Sequence, residues 1–70
     1  MKPEKIIRGE LLAPINLGKP VAIHRDDQAP GRVWQSSPVE KIVSVAIMNG
    51  KVGVKFETEN TIYTAAFSIQ

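Results

Sequence analysis

His24 is the only histidine in the chain, two carboxylates follow it at Asp26 and Asp27, and two hydroxyls stand at Ser36 and Ser37. Hydrolysis through a nucleophile uses these residue types: a hydroxyl, an imidazole base and a carboxylate that orients it. The spacing does not assemble them. No nucleophile elbow frames either serine, and no glycine run offers an oxyanion hole. The run His24-Arg25-Asp26-Asp27 holds one imidazole and two carboxylates, a donor set that suits a metal. Adjacent carboxylates on a strand point to opposite faces, so Asp26 and Asp27 converge only in a loop. The same loop lacks the alternating oxygen ligands of a calcium-binding hand. The five glycines are scattered and make no phosphate loop. Glu57 and Glu59 flank a turn and Glu40 begins a strand, which does not set up a paired general acid and base. The reading is therefore non-enzymatic, with no catalytic residue, metal or cofactor, and with His24 on the surface at a strand end.

Side chains suited to binding are easier to find. Residues 1–32 hold six basic and four acidic side chains, and residues 33–70 hold three of each, so the surplus charge lies in the first half. Arg25 and Arg32 bracket a polar loop, and Trp34, the only tryptophan, follows two residues later. Arg and Trp are enriched at interface hot spots, and in small barrels they also grip phosphates and stack bases. Lys19, His24, Arg25, Arg32 and Trp34 make up this candidate binding surface. Trp34 also reads as a core residue, as the sole tryptophan of a small domain.

The elements that must carry these residues follow from composition and pattern. Seventy residues form one domain, which buries only about 60% of its unfolded surface. There are 15 Ile plus Val residues against three Leu, which favours strands over helices. Cysteine is absent, so there are no disulfides or thiolate metal sites, and a reducing, cytoplasmic setting is the expectation. No apolar run reaches the roughly 18 residues of a membrane helix, and Arg8-Gly9-Glu10 breaks the only N-terminal apolar stretch.

Residues 1–20 are expected to be an N-terminal arm, either a short helix or a short edge strand near Ile6–Arg8, and 21–70 a single small β domain. Val21–His24 and Val33–Ser36 read as strands on either side of the polar loop. Asn49-Gly50 between two alternating runs is a strong hairpin signal. It pairs Ile47 with Val52, Val45 with Val54 and Val43 with Phe56, an apolar face throughout. Ala46 then meets Gly53, Ser44 meets Lys55 and Ile42 meets Glu57 on the other face. A second turn centred on Glu59-Asn60 pairs Phe56 with Tyr63, Val54 with Ala65 and Val52 with Phe67. The result is a three-stranded antiparallel meander from Val39 to Ile69. With two further strands it would close into a small SH3-like five-stranded barrel. The rival architecture is an antiparallel sheet capped by a short N-terminal helix.

On the outer face, Ala46, Gly53 and Ala66 fall in one row, with Ile42 and Ile62 nearby. Such a bare strip either receives something close to the backbone or lets the sheet curve. It marks a second candidate interface, for a partner or for another copy of the chain.

Trp34-Gln35-Ser36-Ser37-Pro38-Val39, followed further along by Thr58-Glu59-Asn60-Thr61-Ile62-Tyr63, resembles a pattern found in small uncharacterised bacterial proteins, often of phage or mobile-element origin. The pattern is an aromatic-x-(Thr/Ser)-Ser-Pro-Val strand and then Thr-x-Asn-(Ser/Thr)-x-Tyr. The resemblance spans residues 19–67 and implies a compact β domain without assigning an activity. The leading expectation is a binding module acting on a protein partner or by self-association. A nucleic-acid-binding barrel, or a binder of a small anionic ligand at a subunit interface, is the alternative.

Overall fold

The computed structural model describes residues 1–68 and contains six strands: β1 (Glu4–Leu11), β2 (Ala22–Arg25), β3 (Trp34–Gln35), β4 (Lys41–Met48), β5 (Lys51–Glu57) and β6 (Ile62–Ser68). They form one mixed sheet in the order β3-β2-β1-β6-β5-β4. The chain is mainly β. No helix occurs among the described residues, which sets aside the helix-capped alternative.

The β4–β5 hairpin turns where the sequence says it should. Asn49 (φ 50°) and Gly50 (φ 75°) are both left-handed, the requirement of a type I′ turn. Ile47–Val52, Ala46–Gly53, Val45–Val54 and Ser44–Lys55 pair as expected. The register then changes. A β-bulge between Ile42 and Ser44 sets Ile42 against Phe56 and Lys41 against Glu57, which replaces the expected Val43–Phe56 and Ile42–Glu57 pairs. The β5–β6 pairing agrees throughout with the expected rows, including Phe56–Tyr63, Val54–Ala65 and Val52–Phe67. Glu59 and Asn60 supply no positive φ there. Thr58 closes the turn instead, its amide donating to the Thr61 carbonyl at 2.9 Å and its hydroxyl to the same oxygen at 3.2 Å. The expected end of the meander at Ile69 lies outside the described residues.

The first strand departs most from expectation. β1 is longer than Ile6–Arg8 and lies inside the sheet. Residues Glu4 to Arg8 run parallel to β6, and Gly9 to Leu11 pair antiparallel with β2. The change of partner centres on Gly9. A Cβ there would collide with the His24 carbonyl oxygen and lie 2.8 Å from the Arg25 Cα. Only glycine lets the two backbones approach so closely.

This insertion explains why no five-stranded barrel forms. β1 separates β2 from the meander, and the two outer strands, β3 and β4, are not paired with each other. The sheet nevertheless curls. Three strand spacings between β3 and β6 amount to about 14 Å in a flat sheet. Trp34 on β3 and Tyr63 on β6 nonetheless meet edge to face, with ring centroids 5.2 Å apart. Tyr63 also stacks on Phe56 at 5.3 Å. The curl closes the core around Ile7, Val21, Ile23, Val39, Val54, Phe56 and Ala65. The loop between β1 and β2 completes it. Gly18 donates its amide to the Val39 carbonyl (2.8 Å) and Val39 donates to that of Lys19 (3.0 Å), pinning this loop beside the entrance to β4.

Candidate functional site

The loop from β2 to β3 is held by its own hydrogen bonds. The Arg25 amide donates to the Gln28 side-chain oxygen (2.9 Å), and the Gln28 amide donates back to the Arg25 carbonyl (3.0 Å). The Asp26 amide donates to the Arg8 carbonyl at 3.0 Å, which ties the loop to β1. His24 Nδ1 donates to the Arg32 carbonyl at 2.8 Å and so spans the loop's two ends. That ring nitrogen is therefore committed to holding backbone.

The other binding candidates here are engaged or dispersed. The Arg25 guanidinium meets the Asp27 carboxylate at 2.7 Å, a solvent-exposed pair. Trp34 is half-buried and packed against the core, the edge of an aromatic cluster with Tyr63. Arg32 and Lys19 are exposed. An open depression of about 450 Å³ beside the loop is lined by Arg8 and Arg25 but also by Asp26 and Asp27, so its charges offset. Among the described residues no three His, Cys, Asp or Glu side chains come together in a way that would hold a metal ion. Nor, among the described residues, is any helix long and apolar enough to cross a membrane.

The motif residues Ser36, Thr58 and Thr61 are buried and serve the fold. Ser36 Oγ accepts the Val21 amide at 2.9 Å and donates to the Ser37 carbonyl at 2.6 Å. The Ser36 amide donates to the Val21 carbonyl at 3.0 Å, so this serine fastens β3 to the start of β2. Lys2 reaches the Thr58 carbonyl at 2.8 Å and anchors the N-terminus to the β5–β6 turn.

The outer-face row exists and is longer than the sequence reading has it. Ala46, Gly53 and Ala66 lie side by side across β4, β5 and β6, and Arg8 on β1 continues the row. Among the described residues nothing lies within 4 Å of where a Gly53 Cβ would stand, so the middle of the strip is open. A shallow depression of about 410 Å³ runs over it between Ala46, Lys51 and Ala66. The bulge removes Ile42 from this neighbourhood, since it now lies opposite Phe56. Ile62 stays, between Glu57 and Glu4.

The feature that sequence reasoning missed is β4 itself. Val45 and Ile47 share register rows with Val54 and Val52 on the core side of the sheet. They should be buried. Val45 is 60% exposed and Ile47 71%. Ile42 and Val43 are exposed as well, and so is every residue from Lys41 to Ile47. The core cluster that holds Ile23 of β2 takes in Val54 and Phe56 of β5 and Ala65 of β6 but, among the described residues, includes none of β4. One signal was available: β4 is a long apolar strand that opens the meander, so its outer edge could be paired only by a strand from earlier in the chain.

No family model matches this chain, and no curated protein or solved structure matches it.

Proposed function

We propose that this domain is a non-enzymatic binding module whose working surface is β4, an edge strand that takes up an extended segment of a protein partner. One observation carries the reading: Val45 and Ile47 stand 60% and 71% exposed on the side of the sheet that is otherwise core. A strand added beside β4 would satisfy its free backbone edge and lay alternate side chains against these two. The largest exposed apolar patch on a small domain is often its interaction site. The cytoplasmic setting expected from the cysteine-free sequence belongs to the same proposal.

The nucleic-acid alternative draws on Lys19, Arg25, Arg32 and Trp34. The Arg25–Asp27 pair and the Trp34–Tyr63 contact leave that surface with less to offer, so it supports this reading less well. The experiment is selection of random displayed peptides on the intact domain, with contacts mapped by amide chemical-shift changes. Extended peptides with alternating apolar residues should perturb residues 42–47. Peptides that perturb only the loop from Arg25 to Trp34 would move the working surface there.

A further inference from the structure

Resting on that reading of β4, we infer that its partner is a second copy of this chain, paired antiparallel through β4 about a twofold axis to make one continuous sheet.

The two edges of the sheet are treated differently. At one end β3 is two residues long, a short edge that offers little backbone to a neighbour. At the other, β4 is eight residues long. Edge strands are ordinarily guarded by charges, prolines or inward-pointing lysines. Between Ile42 and Ile47 there is no charge and no proline. The bulge at Val43 and the charge of Lys41 guard only the start of the strand, which leaves the stretch from Ser44 onward open.

That stretch is complementary to itself. A twofold axis requires each residue to face its own kind in reverse order, so a charged edge would repel its copy. Here no charge meets its like. With Ala46 on the axis, Val45 falls opposite Ile47 of the partner subunit on the core side, apolar against apolar. On the outer side the small Ala46 meets itself, and the row Ala46–Gly53–Ala66 runs unbroken through both copies. Val45 and Ile47 each gain a neighbour by this one operation.

Area sets the strength. The apolar side chains this pairing covers on each copy are Val45 and Ile47, less area than the smaller stable interfaces bury. The backbone edges and adjoining side chains add to it. The dimer should therefore be weak and reversible.

The test is sedimentation velocity on the full chain from low micromolar to several hundred micromolar, with three variants. Val45→Lys and Ile47→Lys change exposed residues, so circular dichroism should stay native while the dimer weakens at least tenfold. Ile6→Lys changes a residue 70% exposed on β1, far from this edge, and should leave association unchanged. Ala46→Cys introduces the chain's only thiol on the axis, and mild oxidation should convert it to a disulfide-linked dimer faster than an Ile6→Cys control. A chain that stays monomeric throughout, with no preferential Ala46→Cys crosslink, overturns the inference while leaving β4 as an edge for another partner. A dimer indifferent to both lysine substitutions overturns the inference and the reading of β4 together.

Discussion

Val45 lies directly opposite Val54 in the β4–β5 ladder, yet Val54 is 6% exposed and Val45 is 60% exposed. The two residues have the same chemistry and belong to one row of one face. Only the extent of the covering layer distinguishes them. Trp34 of β3 reaches Tyr63 of β6, and the core cluster ends at β5 without taking in β4.

Aspartate at the two positions should therefore behave in opposite ways. Val54→Asp buries an unpaired carboxylate, which costs several kcal/mol, on the order of the stability of the whole domain. The variant should lack a cooperative thermal transition. Val45→Asp should hold the monomer within about 0.5 kcal/mol of the parent. Circular-dichroism melts of both at low concentration check the pair, and equal losses would show that β4 is covered.

Gly9→Ala should destabilise the domain by at least about 1–3 kcal/mol, the range for forced overpacking. The methyl group would meet the backbone of β2, which cannot yield as a flexible side chain would. Gly53→Ala, with open space at its Cβ, serves as the control. Urea midpoints of the two should separate clearly.

Ser36→Ala should cost about 1–3 kcal/mol by leaving the buried Val21 amide without its side-chain acceptor. Thr in place of Ser36 keeps the hydroxyl and should recover part of the loss. For a domain of this size each kcal/mol corresponds to about 4–8 °C in Tm.

Trp34→Ala should lower stability by about 2–4 kcal/mol, because it removes a half-buried ring and its edge-to-face contact with Tyr63. Trp34→Phe should restore most of it. If Trp34→Ala melts like the parent, the tryptophan belongs to a binding surface and not to the core.

The sequence by itself determined the β class, the Asn49-Gly50 turn and nearly the whole meander register. Two-residue periodicity and a turn that needs positive φ are local properties, and each constrains the other. The exception is the bulge at Val43, where apolar neighbours on both sides leave the alternation unable to place an extra residue. The candidate site was less legible. Arg25 and Trp34 stand out by type, but their partners Asp27 and Tyr63 emerge only from a loop closing on itself and a sheet curling on itself. The position of β1 was decided by tertiary structure alone. A parallel pairing with β6 brings together residues from opposite ends of the chain, and no local pattern records such a choice. Once β1 lies between β2 and β6, the barrel stays open and β4 becomes an edge. The exposure of Val45 and Ile47 follows from that placement, because burial depends on which strand the fold leaves last and how far the covering layer extends.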